Sequence, residues 1–161
     1  MIVLGIDPGL SVSGFSLIKK ENRCLYLLDC GYLSMSSRKS IPERIGIFHD
    51  FYAQKIDQWQ VTDIALETPF LGKNAQNFLK LGYLRGILYL LANQHQLQLH
   101  EFSPREVKQA VTGYGAARKE QVARVIMQLF PRLKEPKKED VTDALAIGLC
   151  SIWRQKTALK F

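Results

Sequence analysis

Four acidic residues stand where chemistry could use them. Asp7 closes the first apolar run of the chain and Glu67 closes a later one. Asp140 and Asp143 open the last helical stretch at i, i+3 spacing, which puts both on one helical face. Strand ends at the carboxyl edge of a sheet with parallel neighbours are where α/β proteins tend to place their sites. Four carboxylates gathered there would repel one another unless divalent cations neutralised them. An all-oxygen ligand set suits Mg²⁺ or Mn²⁺ rather than zinc. Two such ions ~3.5–4 Å apart can activate a water and stabilise the leaving oxygen of a phosphodiester. Singly, each acid also has a plainer reading. Asp7-Pro8-Gly9 is an ordinary turn sequence, Glu67 could be a solvated strand end, and Asp140 could cap its helix with Asp143 in support.

The elements that must position these acids follow from hydropathy patterning. Ile2 to Asp7 reads as a strand, with Gly14 to Lys20 and Cys24 to Ser34 as the next two, joined by the polar turn Lys20-Glu21-Asn22-Arg23. Ser40-Ile41-Pro42-Glu43 has the form of a capping box. Behind it, Ile41, Ile45, Phe48, Tyr52, Ile56 and Trp59 mark one face of a helix. Val61 to Glu67 reads as a fourth strand and Leu97 to Phe102 as a fifth, separated by a helix from Ala75 to Gln94 whose apolar residues exceed one face. Ser103-Pro104-Arg105-Glu106 opens a further helix ending at Gly113-Tyr114-Gly115. Arg118 to Phe130 and about Asp140 to Gln155 complete the helices. Tight connections make the first three strands an antiparallel meander, and helical crossovers bring the last two in parallel to the first. The expected class is therefore α/β, a five-stranded mixed sheet flanked by helices. The 161 residues suit one domain spanning 1–161.

Composition narrows the partner. Lysine and arginine number 22 against 15 aspartates and glutamates, a net charge of +7, which suggests a polyanion and favours nucleic acid over a membrane surface. The most apolar stretch, Leu81 to Ala92, is broken by Arg85 and falls short of the ~18 residues a membrane span needs. Met1 to Ile6 has no basic region or long apolar core of a secretory leader. Cys24, Cys30 and Cys150 form no CxxC pair, and His49, His95 and His100 have no metal-ligand spacing. A reduced, cytoplasmic protein without a membrane anchor is expected.

Several motifs are familiar as a set: Gly5-Ile6-Asp7-Pro8-Gly9 with Gly14, Glu67-Thr68-Pro69-Phe70, Lys73-Asn74-Ala75, Lys80-Leu81-Gly82, Arg85-Gly86, Val107-Lys108-Gln109 and Asp140-Val141-Thr142-Asp143-Ala144-Leu145-Ala146. In order and separation they resemble the RuvC family of Holliday-junction resolvases over essentially the whole chain. The resemblance implies a ribonuclease-H-like fold, a homodimer, and Mg²⁺-dependent nicking of four-way DNA junctions in recombination and repair. It also implies 5′-phosphate and 3′-hydroxyl products and a branch-migration motor as partner. By motif position, Asp7, Glu67, Asp140 and Asp143 would be the catalytic carboxylates and metal ligands, with two Mg²⁺ expected. Two departures bear on loop geometry: Thr68-Pro69 follows Glu67, and Arg118-Lys119 places two adjacent cations where the family mainly has the lysine.

The cations Lys73, Lys80, Arg85, Lys108, Arg118 and Lys119 all follow Glu67 and are expected to contact DNA, although helix-surface lysines are commonly only solvated. Lys108 and Lys119 match positions that the family uses near phosphates. The resemblance makes Phe70 a wedge against a distorted base at the crossover; its pattern alone would equally suit an aromatic tucked into the core. Three rival functions remain at this level. One is another ribonuclease-H-like nuclease acting on RNA or other branched DNA. A sugar-kinase or actin-like phosphotransferase would require a second lobe that the chain lacks. A non-catalytic junction-binding protein would have no use for four acids beside a phosphate.

Overall fold

A computed structural model describes residues 1–69 and 75–154. Strands β1 (Ile2–Asp7), β2 (Val12–Glu21) and β3 (Cys24–Ser34) precede helix α1 (Ile41–Trp59). Then follow β4 (Asp63–Glu67), α2 (Ala75–Gln94), β5 (Gln98–Phe102), α3 (Pro104–Thr112), α4 (Lys119–Leu129) and α5 (Glu139–Arg154). The sheet runs β3-β2-β1-β4-β5, with β1–β2 and β2–β3 antiparallel and β1–β4 and β4–β5 parallel. This is the expected meander with two crossover strands. Boundaries differ by one or two residues: β2 begins at Val12, β4 at Asp63 and β5 at Gln98, α4 is Lys119–Leu129, and α5 opens at Glu139. The extra residues of β2 are held by β3, which pairs as far as Val12 with Ser34.

Alternation along the strands divides the core into two. Leu4, Ile6, Phe15, Leu17, Ile64 and Leu66 face α1 and α2, where Phe48, Tyr52, Ile56, Leu84, Leu88 and Leu91 meet them. Val3, Ile18 and Ala65 face the opposite way, into a cluster with Val107, Val111, Val122, Ile126 and residues of α5. Both α1 and α3 start with the predicted capping boxes, Ser40 with Glu43 and Ser103 with Glu106, and each ends at a left-handed residue, Gln60 and Gly113.

The helix α5 is buried over most of its length, from Val141 and then Ala144 through Ile152. It comes down closely on β1 and β2 at Gly5 and Gly14, where the strands present no side chain. A Cβ on Gly14 would stand 2.0 Å from the Asp140 carbonyl oxygen, and one on Gly5 would stand 2.4 Å from that of Ala144. The Ser16 hydroxyl fixes the contact by donating to the Ala144 carbonyl at 2.8 Å. Among the described residues, no helix is long and apolar enough to cross a membrane.

Candidate active site

The sheet order makes β1 and β4 neighbours, so Asp7 and Glu67 end adjacent parallel strands at the same edge. Asp140 and Asp143 arrive from above on the first turns of α5, seated by Gly14 and Gly5. Asp140 lies within the helix rather than ahead of it as a cap. Its first-turn position suits a negative charge at the helix's positive end.

Asp7 and Glu67 both feel neighbouring acids. Burial, then the charges of Asp143, Asp140 and Glu67, push the Asp7 carboxyl up to about 7, against the pull of Lys119. Burial and Asp143 raise Glu67 as well, opposed by Lys108 and Lys119. Carboxylates from two distant stretches therefore lie within electrostatic reach of Asp7, and at Asp7 and Glu67 negative charge is disfavoured.

A cavity of about 200 Å³ opens between Glu67, Lys108, Lys119 and Asp143, walled by Pro104, Val107, Val122 and Ala146. Lys119 Nζ donates to Asp143 Oδ2 at 3.1 Å and to Glu139 Oε2 at 3.2 Å. Although burial works against its charge, these two carboxylates raise the affinity of Lys119 for its proton. Among the described residues, no three acidic, histidine or cysteine side chains are drawn close enough to form a finished coordination shell. Asp143 is turned to the Lys119 ammonium. The donor set is nonetheless all oxygen and short of positive charge, the chemistry that Mg²⁺ or Mn²⁺ fits.

Two hydrogen-bonded devices hold the strand ends, and neither was read from the sequence. Ser13 Oγ donates to the Asp7 carbonyl at 3.1 Å and pairs at 2.7 Å with the hydroxyl of the fully buried Tyr52. Arg85 Nη1 donates to the Glu67 carbonyl at 2.6 Å. The expectation that Arg85 reaches DNA is thereby corrected: its side chain is only 6% exposed and forms an ion pair with Glu101. A signal was present, since Arg85 shares its helical stripe with Leu84, Leu88 and Leu91, all buried.

The other expected DNA contacts divide. Lys108 and Lys119 line the cavity. Arg118 is exposed immediately ahead of α4, its backbone N–H donating to Gln121 Oε1 at 2.8 Å. Lys80, half-buried on α2, does not line the cavity. Phe70 and Lys73 lie outside the described residues.

Comparison with known proteins bears on this arrangement. A family model described as "Crossover junction endodeoxyribonuclease RuvC" matches residues 3–151. A protein of that description from Pelodictyon phaeoclathratiforme is 44% identical over 154 residues, which cover 96% of this chain and 81% of the relative. A solved structure of Thermus thermophilus RuvC superposes with a TM-score of 0.88 at 26% identity, covering 97% of this chain and 96% of that one. The same fold, at 24% identity and a TM-score of 0.88, occurs in a structure described as "T. thermophilus RuvC in complex with Holliday junction substrate", covering 98% and 97% of the two chains.

Proposed function

Because this chain belongs to the RuvC family of crossover junction endodeoxyribonucleases, we propose that it resolves four-way DNA junctions by paired, metal-dependent phosphodiester hydrolysis, as a single nuclease domain in each subunit of a homodimer. The observation that carries this reading is that Asp7, at its buried strand end, feels the charges of Asp143, Asp140 and Glu67 together, beside a cavity that Glu67, Asp143, Lys108 and Lys119 line. The holliday-junction complex of the T. thermophilus relative supports the choice of substrate.

Asp7, Glu67, Asp140 and Asp143 would hold two Mg²⁺ ions, which Mn²⁺ could replace. When bound, such ions supply activation of the attacking water and stabilisation of the departing 3′ oxygen, leaving 5′-phosphate and 3′-hydroxyl ends. The chain's own residues do the rest. Lys108 and Lys119 draw a backbone phosphate over the acids and offset its charge as it approaches. Lys119 also keeps Asp143 turned into the cleft. Ser13 and Arg85 hold the Asp7 and Glu67 backbones, so both carboxylates start from fixed strand ends. Arg118 extends the cationic rim, and Phe70, Lys73 and Lys80 are assigned to the DNA arms.

Pairing of subunits is supported by α2. Leu79, Tyr83, Tyr89 and Leu90 are exposed on it, and Gly82 and Gly86, one turn apart, have open space where a side chain would begin. A second α2 could approach closely there across a twofold axis and cover that apolar surface. Two cuts on one junction then follow from two sites. Delivery by a branch-migration motor and a cytoplasmic setting complete the proposal. Cleavage of four-way junction, linear duplex and RNA–DNA hybrid should be compared, with sedimentation at micromolar concentration. Junction-selective paired nicking by a dimer is expected. Preference for the hybrid, or a monomer, would overturn the respective part.

A further inference from the structure

The charged side chain most deeply buried among the described residues outside the acidic cleft's own walls is that of Arg85, and its contacts lead straight back to the cleft. The β1–β4 ladder pairs residues only as far as Ile6 with Leu66, so the Glu67 carbonyl lies one residue past its last rung. Arg85 Nη1 supplies the donor at 2.6 Å. The other end of the guanidinium is fixed in turn: Nη2 is ion-paired with Glu101 of β5 and lies 3.3 Å from the Tyr89 hydroxyl. Tyr89 donates to the same Glu101 oxygen at 2.8 Å. The planar fork of arginine thus joins α2, β4 and β5 at one point, where lysine, with a single nitrogen, could serve only part of the set. A neutral donor would satisfy one carbonyl at lower desolvation cost. What the arginine adds is orientation, locked from two sides.

We propose that Arg85, held by Glu101 and Tyr89, is a positioning residue that sets the backbone, and through it the carboxylate, of Glu67 for divalent-cation binding. The inference rests on the reading of Glu67 as a metal ligand. Groups that orient a ligand from behind typically govern affinity or activity by ~10–100-fold. The clamp differs from ordinary core packing in its consequence: loosening it should lower cation affinity in protein that remains folded and still binds junctions.

The test uses Arg85→Lys, Arg85→Gln and Glu101→Gln, with Glu67→Gln as reference. Mn²⁺ binding is measured by calorimetry without DNA, alongside thermal melting, junction binding, and single-turnover nicking across a Mg²⁺ titration. Expected for folded Arg85 variants is Mn²⁺ affinity and a Mg²⁺ midpoint shifted by about tenfold or more, junction affinity within about twofold of wild type, and nicking partly restored at high Mg²⁺. Glu101→Gln keeps the arginine and an acceptor, so it should fold and show the same shift, smaller in size. If the Arg85 variants do not fold, Glu101→Gln decides alone. Wild-type cation dependence in the folded variants would overturn the proposal, as would nicking lost only in proportion to folded protein. If Glu67→Gln itself bound Mn²⁺ and cut like wild type, the ligand reading would fail instead.

Discussion

Replacing Asp7 with asparagine should make the metal-free protein more stable while removing its activity. In the folded chain the Asp7 carboxyl is pushed from 3.8 up to about 7, by burial first and then by Asp143, Asp140 and Glu67. A group that holds its proton more tightly when folded than when unfolded costs nothing at low pH. Its cost grows as pH rises from about 4 to about 7 and stays constant above that. At ~1.4 kcal/mol per pH unit, that interval sets a ceiling of about 4 kcal/mol. Relaxation and water in the open cleft reduce it, so roughly 1–3 kcal/mol is expected at pH 8. Asp7→Asn removes the charge and with it the cost. For a chain of this size the gain should read as a rise in Tm of roughly 2–10 °C at pH 8. At pH 5 the gain should shrink to less than half. Saturating Mg²⁺ should stabilise wild type at pH 8 and leave the variant nearly unmoved. Thermal melts at the two pH values, with and without Mg²⁺, provide the assay. A variant less stable than wild type at pH 8, or a gain independent of pH, would refute the charge-coupling argument.

Other consequences can be checked alongside. Gly14→Ala puts a Cβ 2.0 Å from the Asp140 carbonyl. It should lower stability by about 1–3 kcal/mol and displace α5 enough to abolish nicking, read by melting and by cleavage. Lys119→Ala should cost under ~1 kcal/mol of stability, because its ion pairs are largely exposed. It should still weaken junction cleavage at least tenfold and flatten the salt dependence of binding. Phe70→Ala should reduce cleavage more than it reduces Tm; a loss of folded protein that accounted for all lost activity would remove its wedge role.

The sheet was legible in the sequence because its strands carry strong local signals. Asp7-Pro8-Gly9 and the turn at Lys20–Arg23 bound short apolar runs, and the two serine capping boxes mark helix starts one residue away from where they fall. The element ends that carry Asp7, Glu67 and Asp140 were legible to within one residue, because turn residues and the change of periodicity fall beside them. What patterning could not reach was the third dimension. Gly5 and Gly14 appear as parts of a motif, but their use, admitting α5 onto bare strand backbone, becomes visible only when the helix is in place. A cation in a basic chain suggests phosphate, and on that ground Arg85 reads as a DNA contact. Its position on the stripe of Leu84, Leu88 and Leu91 pointed inward, and an acceptor set made of the Glu67 carbonyl and a glutamate of another strand leaves no trace in spacing. The Ser13–Tyr52 pair escaped for the same reason, being thirty-nine positions apart in the chain.

The claim on which the rest depends is that acids from distant stretches hold cations that cut DNA at a crossover. A synthetic four-way junction, incubated with wild type and with Asp7→Asn across a Mg²⁺ titration, tests it most directly. Paired nicks that appear only with Mg²⁺ and only with wild type, while both proteins bind the junction, are predicted. Cleavage without a divalent cation, or by the variant at the wild-type rate, would contradict the account.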